Sequence, residues 1–98
     1  MKTTITLKTK CRGLGVFLHH PGNSPSDPLP GVSHSVEIDL PPGIYTVSAT
    51  GTGNAAGLEA EVTFASKADS QSRSEWVSED GSLIAWITFE LHGNGEVS

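Results

Sequence analysis

Apolar and polar residues alternate along most of this chain, and no segment of ten or more residues sustains a helical period of 3.6. The alternation predicts seven strands. Residues 2–11 put Ile5, Leu7 and Cys11 on one face, and residues 14–19 align Leu14, Val16 and Leu18. Residues 33–40 align Val36, Ile38 and Leu40 against Ser35, Glu37 and Asp39. Residues 44–50 align Tyr45, Val47 and Ala49, and residues 58–65 align Leu58, Ala60, Val62 and Phe64. A shorter candidate at 73–78 centres on Trp76, and residues 82–91 align Leu83, Ala85, Ile87, Phe89 and Leu91. One apolar and one polar face per strand is the pattern of antiparallel sheets packed on a shared core. Seven short strands in 98 residues predict a single domain, 1–98, built as a two-sheet antiparallel β-sandwich. A partly open β-barrel is the alternative.

The connections are unequal. Residues 20–32 hold four of the six prolines and cannot form a central strand, because each proline lacks an N–H and fixes φ. Residues 51–57, GTGNAAG, read as a flexible hairpin tip, residues 66–72 as a polar crossing, and the tail HGNGEVS as a frayed end. In Leu40-Pro41-Pro42-Gly43 the second proline presets φ and the glycine permits φ > 0, which predicts a type II turn. Tyr45 then lands on the core face, where its hydroxyl needs a partner.

The stretch LPPGIYTVSAT, Leu40 to Thr50, resembles the L-x-P-G-x-Y-x-V element of immunoglobulin-like and transthyretin-like β-sandwich modules, including carboxypeptidase regulatory-like domains. The resemblance covers this element only. It implies a sandwich fold, a packed Tyr45 and a turn at Pro42-Gly43. Modules of this kind serve as spacers, adhesion units, sugar binders and assembly domains, so it implies no single function.

The segment SEWVSEDGSLIAWITFEL breaks the alternation. Asp80-Gly81 between two strands is a type I′ hairpin signal. A two-residue loop would pair Val77 with Ile84 and Glu75 with Trp86, and would place Trp76 inside with Leu83, Ala85 and Ile87. Val77, Ile84 and Trp86 would then form an apolar patch on an outer face that is polar elsewhere. Such a patch needs a cover, such as the 20–32 loop, or a partner. The leading expectation is therefore a non-enzymatic protein-interaction or assembly module, self-associating as a homodimer in its simplest form. The alternative is a carbohydrate-binding module that stacks a sugar on an exposed tryptophan.

Charge and chemistry narrow the field. A net charge of −5 with only six basic residues argues against nucleic acid as a partner. Lys2, Lys8, Lys10 and Arg12 share strand parity and read as a solvated stripe that discourages edge pairing. No apolar run is long enough to span a membrane, so none is expected as a partner. The N-terminus shows no apolar signal region, which favours a cytoplasmic or virion-type location unless a leader has been removed. Cys11 stands alone, so no internal disulfide can form. His19 and His20 are adjacent and point to opposite faces of a strand, and no H-x-x-x-H or C-x-x-C spacing occurs. No metal or other cofactor is expected. No G-x-S-x-G and no P-loop lysine occurs, and the Glu59/Glu61 pair reads as a solvent-facing strand neighbour set, so an enzyme is not expected.

Overall fold

The alternating pattern folds, in a computed structural model, into two four-stranded antiparallel sheets packed face to face. Residues 1–22, 27–29 and 35–98 are described. The strands among them are β1 (Lys2–Thr9), β2 (Gly15–His19), β3 (Asp27–Leu29), β4 (Ser35–Asp39), β5 (Gly43–Gly51), β6 (Glu59–Ala65), β7 (Ser70–Trp76) and β8 (Leu83–Leu91). The first sheet has the order β4-β1-β6-β7 and the second β3-β2-β5-β8. This is the expected two-sheet sandwich, with β3 added inside the proline-rich segment. There Pro28 lies opposite Phe17 on an outermost strand, a sheet position that tolerates a missing N–H. The rest of that segment, residues 23–26 and 30–34 with His34, lies outside the described residues.

The core is the meeting of the two inward faces. Odd residues of β1 and β8, Tyr45, Val47 and Ala49 of β5, and even residues of β2 and β6 are buried. Tyr45, Phe64 and Phe89 stack through it, with ring centroids 6.0 Å and 5.1 Å apart. The Tyr45 hydroxyl donates to the Pro41 carbonyl at 2.5 Å, which supplies the partner its burial requires. That burial also raises the phenol's pKa.

Several local expectations are corrected. Gly43 does not turn with positive φ. It opens β5 opposite Leu91, and a Cβ there would sit 2.9 Å from Pro21 Cγ, so close approach demands the glycine. Residues 51–57 are not a hairpin tip but the crossing from β5 to β6. Asn54 pins it, accepting from Arg12 N–H at 2.8 Å, donating to the Arg12 carbonyl at 3.1 Å and giving its own N–H to Gly81. Residues 66–69 turn the β6–β7 hairpin within one sheet rather than crossing between sheets. The tail does not fray. Glu90 and Ser98 exchange main-chain bonds, Val97 N–H donates to Asp69 Oδ2 at 3.0 Å, and Val97 is buried.

The largest correction concerns Asp80-Gly81. β7 and β8 are not a hairpin: β7 pairs with β6, and β8 with β5. The turn is a three-residue corner in which Gly81, at φ 83°, donates to the Ser78 carbonyl while Ser78 N–H donates to the Ser82 carbonyl. Aspartate-glycine suits this geometry as well as a two-residue loop, because both need a residue with φ > 0. Upstream of the corner, Val77 continues the ladder onto Leu58 instead of turning toward β8.

Asp80 holds the corner together. Its carboxylate accepts from the Ser78 hydroxyl, the Ser82 hydroxyl and the Ser82 N–H, and these bonds lower its pKa to about 2. A depressed folded pKa stabilises the fold above the unfolded value of roughly 3.9. That contribution is lost as pH falls from there through about 2. Thermal melts of wild type and Asp80→Asn between pH 5 and pH 2 should therefore converge as the pH drops. A constant gap would mean that the charge on Asp80 does not stabilise the corner.

Candidate functional site

The alternation on β8 fixes the site. Its odd residues face the core, so Ile84, Trp86, Thr88 and Glu90 point out from the second sheet. Ile84 is 76% exposed and Trp86 62% exposed, and among the described residues no loop covers them. Val77, expected beside them, is 4% exposed and belongs to the core. Its neighbour Trp76, expected in the core, is 57% exposed on the outer face of the first sheet, opposite Glu59. The reason is register. Ala60, Val62 and Phe64 of β6 point inward, so their β7 partners Glu75, Arg73 and Gln71 share the inward side, and Val77 continues it. Arg73 uses that direction to reach across the open edge. Its guanidinium lies 4.8 Å from the centre of the Phe89 ring and donates to the Thr88 carbonyl at 2.8 Å.

The patch is thus rebuilt rather than lost. Strand register lines up Pro28, Phe17, Ser48 and Trp86 in one row across four strands. Ile84 and Ile44 extend the same face, and Phe17 and Ile44 are also exposed. Phe17 and Ile44 were readable from the sequence by the signal that revealed Trp86. Each is a large apolar residue at outward parity, beside Val16 and Leu18 in one case and Tyr45 in the other.

His19 gives this face its polar feature. Its Nε2 lies 2.8 Å from Ser48 Oγ, and its ring stands 4.6 Å from the Trp86 ring, tilted by 38°. Ser48 points outward yet is buried, in contact with the His19 imidazole and in register with Phe17 and Trp86. A serine–histidine contact invites comparison with a nucleophile and its base, but such pairs need a third group to orient the imidazole. Among the described residues no carboxylate bonds His19. His20, on the opposite side of the strand, pairs with Asp27 at 2.6 Å and stands edge-on to Tyr45. His92 contacts Ser98 and Glu90 on the far end of the sheet. Among the described residues no three metal-ligating side chains come together.

Beside Trp86 the surface dips into an open depression of about 470 Å³, lined by His19, His20, Pro21, Ile44 and Thr46. Among the described residues no helix is long and apolar enough to cross a membrane. Comparison of the chain with family models, curated proteins and solved structures finds no significant match.

Proposed function

We propose that this domain is a non-enzymatic protein-interaction or assembly module, and that the outer face of its second sheet is the contact surface. One observation carries the reading: Trp86 and Ile84 project from a rigid strand into solvent, on the same outer face as the exposed Phe17 and Ile44. A tryptophan anchor on a preformed apolar surface is the usual centre of a protein interface. The Tyr45 element supports kinship with immunoglobulin-like or transthyretin-like modules, among which assembly units are common.

Trp86→Ala tests it. The side chain is exposed, so the melting temperature should stay within a few degrees of wild type. Association, read as molecular mass by light scattering, should weaken at least about tenfold, as expected for an interface anchor worth more than about 1.4 kcal/mol. If mass and stability are both unchanged, the face is neither a cover nor a self-association interface.

The depression beside Trp86 favours a second reading, a carbohydrate-binding module with the indole as stacking platform and His19 and Thr46 as hydrogen-bonding groups. Binding on a glycan array that disappears in Trp86→Ala would select this reading, and no binding to any glycan would remove it.

A further inference from the structure

Every sheet has two edges, and an edge leaves a row of main-chain donors and acceptors unpaired. Three of the four edges here carry protection. β4 presents Glu37 and Asp39, β7 carries Arg73 and Glu75, and β3 is short and contains Pro28. The fourth, β8, reads LIAWITF from Leu83 to Phe89, without charge or proline.

The main-chain bonds of β8 show where that edge is open. Glu90 and His92 bond the tail, so the even residues of β8 direct their N–H and C=O groups away from β5. Going along the strand, the Ser82 carbonyl accepts from Ser78, the Thr88 carbonyl accepts from Arg73, and Glu90 is paired with Ser98. Both ends of the edge are therefore capped by the chain itself. Between the caps, the N–H and C=O of Ile84 and Trp86 have no partner among the described residues. These are the residues whose side chains form the exposed patch.

We propose that this open centre pairs antiparallel with the same strand of a second copy, joining two four-stranded sheets into one. The inference rests on the reading of this face as an assembly surface, and it names the partner. A two-fold axis through Ala85 sets Ile84 opposite Trp86 of the second copy. Directly opposed residues in an antiparallel ladder can exchange both main-chain bonds. This register uses all the open groups of Ile84 and Trp86 on both copies and requires nothing of the capped ones. It also stacks Ile84 on Trp86 of the second copy across the outer face, an aromatic–β-branched pair of the kind that stabilises sheets. The paired segment Ile84–Trp86 carries no charged side chain, so the contact sets no like charges directly opposite one another there. The two-fold pairing closes on itself, because both copies contribute the same segment of β8 to one contact.

The test separates main chain from side chain. Ile84→Thr removes the apolar group and keeps the N–H. Ile84→Pro also removes the N–H, at a position where no bond to β5 is lost. Sedimentation and light scattering over about 10 µM to 1 mM should show wild type moving from 10.3 kDa toward twice that mass, as expected for a contact of micromolar or weaker affinity. Ile84→Thr should dimerise with affinity reduced less than about tenfold, whereas Ile84→Pro should stay at 10.3 kDa. Hydrogen exchange on wild type gives a second readout that needs no variant. The Ile84 and Trp86 amides should gain protection as concentration rises. A mass fixed at 10.3 kDa throughout would overturn the pairing. A dimer in which those amides still exchange freely would overturn it too, while leaving the outer face as a contact surface.

Discussion

Phe64→Ala should cost about 3–5 kcal/mol of folding stability, the usual loss when a buried aromatic side chain is truncated. Phe64 is fully buried on β6 and stacks on Tyr45 from β5 and on Phe89 from β8. It is therefore the ring that joins the first sheet to β5 and to the outermost strand β8 of the second. Its removal takes away burial and leaves a cavity between two sheets, whose hydrogen-bonded frames limit collapse onto it. A domain of this size has about 5–15 kcal/mol to lose. The urea midpoint should fall sharply with an unchanged slope, and the melting temperature should fall by roughly 4–8 °C for each kcal/mol lost. A loss under about 1 kcal/mol would mean that the space refills and that the stack is not the join.

The same stack explains why the fold was legible. Tyr45, Phe64 and Phe89 each stand at the inward position of a clean apolar–polar alternation, and such alternation is imposed by burial of one sheet face. Pairing is a different matter. Which strand lies beside which depends on contacts far apart in sequence, and local turn residues report it only weakly. Asp80-Gly81 fits two loop geometries, one that returns the chain along its own strand and one that carries it to the other sheet. Local grammar favoured the first, whereas Asn54 from the β5–β6 crossing and the carboxylate of Asp80 hold the second.

The candidate site was half legible for the same reason. Ile84 and Trp86 follow from parity along one strand, so their exposure could be read directly. Their neighbours on the face, Phe17, His19, Ser48 and Ile44, come from β2 and β5, and only the strand order β2-β5-β8 brings them together. The open edge was invisible in sequence, since nothing in LIAWITF says whether a strand is central or outermost. A central strand would have the same composition, and it would have no use for charges or proline.

Val77 and Trp76 give the most direct check on that lesson, because they are adjacent and only one of them can face the core. In the structure it is Val77, 4% exposed, whereas Trp76 is 57% exposed. Val77→Asp would place a carboxyl among apolar side chains with no hydrogen-bonding group designed to meet it. Burial of a polar group without a partner costs roughly 2–7 kcal/mol, and the lost valine packing adds to that. The domain should be largely unfolded at neutral pH. Any folded fraction should grow as pH falls toward 4, because burial favours the neutral carboxyl and raises its pKa above the unfolded value. Trp76→Thr removes a much larger side chain from an outer face where threonine is a good strand residue, and it should cost about 1 kcal/mol or less. Circular dichroism and urea denaturation of the two variants decide the orientation. If the tryptophan substitution were the costly one and Val77→Asp were tolerated, β7 would have to be turned by one residue. Arg73 would then point to solvent, its bond to the Thr88 carbonyl would be broken, and β8 would be open along its edge from Ile84 to Thr88.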